Sequence, residues 1–435
     1  MDLLGNLGAE DQLTSTRAEN SVLQAKVKEL AQRVKVLAVE NEALKVEVEI
    51  YRKEAALPSF SNLALGNSGS DMETEKANDG EAFFRSGNGV FPRQNEVTFR
   101  NLHGPANPLT CALSPDDTVL ATGGADGQLM LCGWGAVYSP SESPDSVVQS
   151  ASGIGCEAPV ICVAFAPTLR GILAVGCMDG SIYFVQYSSS PGSNGIDLKR
   201  TGLPKTLHHK KYVRAVVWSP KGPLVATSSA DGTVHLFKVE RTGMELSELS
   251  VSLVTSLHLP GAVESMIFSD DHLICYARGT AYLSYFEIAK NFGLTKINLN
   301  AGTPGTASYE DHVSFAVMDM ALYQNKYLAL ATDISRNIVL DVQDGKQIRN
   351  LYGHENDGFS QPKIAWSSNG SYLLGNTQHE SCLCVWDIAS AQVVERLEGH
   401  GQPVRAIYSS QTSDIVITTS FDKAVKFWFP QNESM

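Results

Sequence analysis

Between about Glu96 and Trp428 apolar and polar residues alternate in short runs, and the same punctuation recurs seven times. Each unit reads as an apolar pair, a turn such as Ser-Pro, a β-rich run, a tight Asp-Gly turn and an aromatic-ended strand. The clearest copy, YVRAVVWSPKGPLVATSSADGTVHLF, runs from Tyr212 to Phe237. The last, GHGQPVRAIYSSQTSDIVITTSFDKAVKFW, runs from Gly399 to Trp428. Period-two alternation predicts half-buried strands, and units this short cannot bury a core alone, so they must stack on one another. First strands open near Leu109, Val160, Val213, Val263, Phe315, Ile364 and Val404. The fourth and fifth units are degenerate. No turn aspartate precedes Phe286, and Asp333 stands one residue out of phase with Leu340, so those units rest on the alternation in SMIFSDDHLICYA and YLALATD. Seven is the resulting count, with six or eight the alternatives.

A different period governs Leu13 to about Ala56, a stretch without Gly or Pro. With Asn20 at heptad position a, the a positions are Leu13, Asn20, Val27, Val34, Asn41 and Val48. The d positions are Thr16, Leu23, Leu30, Leu37, Leu44 and Tyr51. β-Branched a, leucine d and an occasional Asn at a, here Asn20 and Asn41, favour two parallel strands, because each amide can bond its symmetry mate only when the helices are parallel and unslipped. Glu40 would face Lys45 of the partner and Glu47 its Arg52, while Lys28, Lys35, Glu42 and Glu49 keep the outer face charged. A helix packed on its own globular part would show a broader apolar stripe. The expectation is a homodimer, with a heterodimer through another zipper helix as the alternative.

Periodicity stops from Leu57 to about Asn95. Pro58 ends the helix, and GNSGSDMETEKANDG lacks the apolar area to order itself, so this is a flexible tether. Phe83-Phe84-Arg85 and Phe91-Pro92 are apolar islands in it, readable as a binding motif or as segments docking on the edge of the repeat region. Short tails, 1–12 and 430–435, flank the rest.

Apolar content of 43% fits a sizeable core, and a formal charge of −13 opposes general binding to nucleic acid or anionic membranes. No secretory signal is read at the N-terminus, and no run approaches the ~18 apolar residues of a membrane span. The eight cysteines form no CxxC pair, and Cys382-x-Cys384 beside His379 lacks a fourth metal ligand. A reducing compartment is expected, cytoplasmic, with nuclear as the alternative. No phosphate loop, HExxH or GxSxG motif occurs. His208, His209, His258, His272 and His312 stand where strands begin, and Asp116-Asp117 and Asp270-Asp271 fall in hairpin turns, as Asp prefers. No catalytic, cofactor or metal residue is assigned. Lys205, His208, His209, Lys210, Lys211 and Arg214 form one basic cluster. It reads as a docking patch for an acidic or phosphorylated peptide, or as a solvated loop.

The repeat region resembles the WD-repeat β-propeller family. Gly353-His354 and Gly399-His400 match its Gly-His element, and Trp386-Asp387 its eponymous dipeptide. Asp126, Asp179, Asp231 and Asp422 match the turn between strands b and c. Six residues on, Phe237 and Trp428 supply the strand-c aromatic, as does Trp386 with Glu380 in place of Asp. The resemblance implies an all-β seven-bladed β-propeller at 96–429, here preceded by a long α-helix forming a parallel dimeric coiled coil. It implies that the Gly-His histidine bonds the turn aspartate, with only the last repeat (His400, Asp422, Trp428) keeping the whole set. It also implies a clasp in which 96–102 becomes the outermost strand of the last blade.

Partners of the family use the narrower top face, built from residues opening strand a and those just before the turn Asp. On this chain that points to Met178, Tyr212, Arg214, Arg405 and Phe421, with Phe359 more loosely matched and Lys210 and Lys211 from the basic cluster. Met178 and Phe421 could instead pack on neighbouring blades. Trp386-Asp387-Ile388-Ala389 departs from the Trp-Asp-x-Arg of ubiquitin-ligase receptors. The layout is similar to dimeric adaptors in dynein regulation, Groucho-type corepression and autophagy. The functional expectation is a non-catalytic dimeric scaffold for protein partners. The alternatives are a subunit of a ciliary, trafficking or chromatin-related assembly whose helix pairs with another protein, and a nucleic-acid or chromatin factor using the patch near Lys210.

Overall fold

The computed structural model describes residues 24, 28, 87, 89–133, 144–189, 195–243, 248–300, 314–377, 380–410 and 412–430. Gln24 and Lys28 are helical and exposed, and every expected seam position from Leu13 to Tyr51 lies outside the described residues. So do Phe83-Phe84-Arg85, His312 and His379.

From Pro92 onward the chain forms seven four-stranded antiparallel sheets, the blades of a propeller. Six of them are built from consecutive strands, running from a at the central channel to d at the outside. Strands a start at Pro108, Val160, Val213, Val263, Val317, Ile364 and Val404. The fifth begins two residues later than the alternation suggested. The degenerate fourth and fifth units form complete blades, because strand pairing needs the alternating apolar residues and not the turn aspartate. A short helix, Pro144–Gln149, precedes the outer strand of blade one and buries Val147.

Strands b are buried along their whole length in five blades, as in Val119–Gly124, Ile172–Cys177 and Tyr327–Thr332, and all but the first residue is buried in Leu224–Ser229 and His272–Ala277. Each is covered on both faces by adjacent blades, which selects small and β-branched residues over alternation. The core is accordingly divided between blade interfaces. Leu129 and Leu131 of blade one pack with Val160 and Val175 of blade two, and Phe184 of blade two lies edge-on to Trp218 and Phe237 of blade three, each at 6.2 Å.

The ring closes by joining distant parts of the chain. Pro92–Arg100 pairs antiparallel with Ala424–Pro430 as the outermost strand of blade seven, and Phe99 meets Phe427 at 5.1 Å. This strand starts four residues before Glu96 and ends at Arg100, where Asn101 turns to φ 56°. Its lead-in docks on blade six. Phe91 is buried against Tyr372 at 4.8 Å, the Gly89 amide donates to the Tyr372 hydroxyl at 2.7 Å, and the Gly87 amide donates to Asp387 Oδ1 at 2.9 Å. Of the two readings of Phe91-Pro92, the structure shows docking. At the opposite end Asp117 of blade one accepts hydroxyls from Ser410 at 2.6 Å and Ser413 at 2.9 Å of blade seven.

Candidate functional site: the channel mouth

Three blades fix their loops with a buried histidine on a strand-b threonine, and two of them add a direct bond to the turn aspartate. In blade seven the His400 ring meets Asp422 at 2.9 Å through Nδ1 and Thr418 Oγ1 at 2.7 Å through Nε2, and Trp428 Nε1 donates to that Thr418 oxygen at 2.9 Å. A neutral ring bearing its proton on Nδ1 satisfies every group at once. In blade one His103 meets Asp126 at 3.1 Å and Thr122 at 2.9 Å. In blade three His209 meets Thr227 at 2.9 Å and Thr233 at 2.7 Å, with Asp231 at 3.8 Å. The whole set of His, Asp and Trp is kept by the last repeat, since Cys132 and Phe237 stand where the tryptophan would be in blades one and three. What recurs in all three is a contact to a strand-b threonine, which the quoted motif does not contain, and His103 follows a leucine where a glycine was expected.

Blade six departs the other way. Both ring nitrogens of His354 are buried without a hydrogen-bond partner among the described residues, and the ring stands edge-on to Trp386 at 5.1 Å. Glu380, which replaces the turn aspartate, is held by Arg396 at 2.6 Å. These histidine contacts are structural. They also remove His209 from the basic cluster, since its side chain lies in the interior.

The surface that remains is the mouth of the channel. In six of seven blades strand a carries one extra residue opposite strand b, as the pairs Val213↔Ser229 and Ala215↔Ser228 leave Arg214 unmatched. The extra residues are Leu109, Ile161, Arg214, Glu264, Met318 and Arg405. A bulge breaks the alternation and re-aims one side chain, and all six line a central cavity of about 480 Å³. Strand a of blade six has no bulge, and Lys363 from just before it joins the lining.

The turn before strand c is stitched to the same end. Met178 donates its amide to the Pro159 carbonyl at 2.9 Å, Ala230 to Tyr212 at 3.2 Å and Phe421 to Pro403 at 3.3 Å.

The charges of this ring are unevenly matched. Arg214 Nη2 lies 2.6 Å from Glu264 Oε2, an ionic contact without hydrogen-bond alignment, and Arg214 Nη1 donates to Gln361 at 3.1 Å. Arg278 Nε donates to the other Glu264 oxygen at 2.8 Å, and Lys363 donates to Asp319 at 3.2 Å. Arg405 has no hydrogen bond or carboxylate among the described residues. Burial, and then the repulsion of Arg214, lower its pKa. Burial pushes the Cys162 thiol in the same cavity up to about 11, so it stays protonated.

Met178, Tyr212, Arg214 and Arg405 thus come together at one opening. Met178 is 57% exposed and Phe421 42%, so neither is consumed by packing on a neighbouring blade. Phe359 is 87% exposed on the loop before blade six and lies outside the cavity lining. Lys210 and Lys211 are exposed, and the Lys210 amide donates to Asp231 at 2.7 Å. Sequence reading missed Glu264 and Met318, because a one-residue bulge leaves no mark in the hydrophobic pattern, and Lys363, which stands just before its strand.

Among known families, the profile of the WD domain, G-beta repeat, matches residues 97–132, 202–238 and 391–428. Those segments contain the three histidine contacts described above. The chain is 34% identical over 190 residues to WD repeat-containing protein 55 of Homo sapiens, covering 43% of this chain and 42% of that protein. It is 22% identical over 376 residues to apoptotic protease-activating factor 1 of Danio rerio, covering 77% of this chain and 27% of that protein. Nuclear distribution protein PAC1 of Arthroderma otae is 26% identical over 102 residues, 22% of each chain. The match spans less than half the length of each of these relatives.

Proposed function

Because this chain is a WD-repeat protein whose repeats close into a seven-bladed propeller, we propose that it is a non-catalytic scaffold that docks protein partners on the channel-mouth face. WD-repeat propellers act in general as protein-interaction scaffolds. The observation that carries the assignment to this face is the coincidence at one end of a bulge-built ring with the exposed apolar side chains Met178 and Phe421. Exposed Met and aromatic residues beside arginine are the composition of interface hot spots. The zipper pattern from Leu13 to Tyr51 supports parallel dimerisation, and a tether from residue 57 to about 86, ending where the chain docks on blade six, would let a bivalent target meet a high effective concentration. A cytoplasmic location follows from the expectation of reduced thiols.

The test recovers partners from native cells with wild type and with Met178→Asp/Phe421→Asp. The double variant should melt as wild type and lose partners. A folded double variant that keeps them all would move the docking surface elsewhere.

A further inference from the structure

The channel mouth carries one more positive charge than it neutralises. Among its lining residues Arg214, Lys363 and Arg405 are cationic, and Glu264 and Asp319 are anionic. Asp319 is taken by Lys363, and Glu264 is shared by Arg214 and by Arg278 from the turn above. That leaves Arg405 as a half-buried guanidinium with no oxygen to receive its protons among the described residues, and Arg214 Nε is also buried without a partner. The Arg405 nitrogens still reach the water of the mouth, and a carboxylate that closed over them would gain strength as that water left. This charge stands on a chain of net charge −13, so diffuse attraction of anions does not account for it. It faces a cavity of about 480 Å³, far more room than its own side chain fills.

Resting on the docking-face reading above, we propose that the channel mouth receives the carboxylate of an aspartate or glutamate side chain projected by a protein partner, with Arg405 as its principal ligand. The planar guanidinium matches a carboxylate in two parallel hydrogen bonds, and such charge-assisted pairs are among the strongest. The rim selects a protein over a free anion. Met178 and Phe421 offer apolar contacts that only a peptide flanking the acid can use, and they would exclude water from the pair once it forms. Arg405 alone would contribute little at an exposed rim. Its position inside the ring is what makes the contact selective.

The experiment selects displayed random short peptides on the full chain, then measures blocked synthetic copies of the enriched sequences by fluorescence anisotropy. The selection should return a consensus containing Asp or Glu beside large apolar residues. Acid-to-amide replacement in the peptide, and Arg405→Met in the protein, should each weaken binding on the order of 30-fold or more, and together no further. Arg405→Lys should recover only part, because a lone ammonium cannot form the fork.

A consensus without an acid, or an acid whose effect persists in Arg405→Met, overturns the proposal. So does stabilisation of wild type but not Arg405→Met by millimolar inorganic phosphate in the absence of an acidic consensus, which would assign the site to a small anion. Peptides that need Met178 and Phe421 but ignore Arg405 refute the acid anchor and leave the docking face standing. Peptides indifferent to all three sink both.

Discussion

Arg214 and Glu264 occupy the same bulged position in adjacent blades and meet at 2.6 Å across the channel mouth. Arg405, in that position of the last blade, meets no acceptor among the described residues. Stability should separate the two arginines. Arg214→Met leaves the buried Glu264 with Arg278 as its single cation and should cost about 1–3 kcal/mol. Arg405→Met removes an unpaired charge and should leave the protein as stable or more so. Urea unfolding of both variants decides it, and equal losses would mean that Arg405 has a partner.

Thr418 accepts the Trp428 indole proton and bonds His400, both in the interior. Thr418→Val keeps the shape and leaves two buried polar groups without a partner, so a loss of about 2–4 kcal/mol is expected. Thr418→Ser should lose far less. Equal effects of the two would show that the methyl group, not the hydroxyl, matters.

The buried histidines predict acid sensitivity. Burial lowers the pKa of His103, His400, His209 (to about 3) and His354 (to about 4). Each is neutral in the folded state and takes a proton on unfolding once the pH falls below its ordinary value near 6.5. Their contribution is therefore complete above pH 6.5 and is lost as pH falls from there toward about 4 and below. Each unit of pH inside that window costs up to about 1.4 kcal/mol per histidine. Urea midpoints should drop between pH 7.5 and pH 5, and His354→Phe, which replaces a ring with no partner among the described residues, should reduce the drop. A flat profile would contradict the neutral assignment.

Closure rests on Phe99, fully buried on Phe427. Phe99→Ala should cost about 3–5 kcal/mol. Because the strand it anchors closes the ring, the loss should appear as a lower midpoint for the whole propeller. A separate early transition confined to blade seven would argue against a clasp.

How much of this was legible in the sequence depended on whether a feature repeats. The apolar alternation of YLALATD and HLICYA sufficed to place strands even where the turn aspartate was missing, since blade stacking requires those side chains whatever the turn chemistry. His400, Asp422 and Trp428 could be read from spacing, but His103 could not, lacking its glycine. The ring of bulged residues was half visible. Arg214 and Arg405 stood out as charges opening a strand, whereas Glu264 and Met318 looked like ordinary strand residues, because a bulge is a property of pairing and only the partner strand reveals it. His209, read as part of a basic patch, is interior for the same reason, its fate being decided by threonines 18 and 24 positions away.

For the zipper, light scattering should report a dimer for the full chain and a monomer for a chain beginning at Gly87. Asn41→Val should raise thermal stability while broadening the oligomer distribution, because a buried amide specifies two strands at the expense of stability. The same number of chains per particle with and without the first 86 residues would rule out dimerisation through this segment.

The central claim is that partners dock on the channel mouth. Hydrogen–deuterium exchange of the full chain with a partner recovered from native cells tests it most directly. Protection is expected at the turns around Met178–Gly180, Ala230–Gly232 and Phe421–Lys423, with the opposite-face turns around Asp116–Asp117 and Lys221–Gly222 unchanged. Protection confined to those opposite turns or to the outer strands would contradict it.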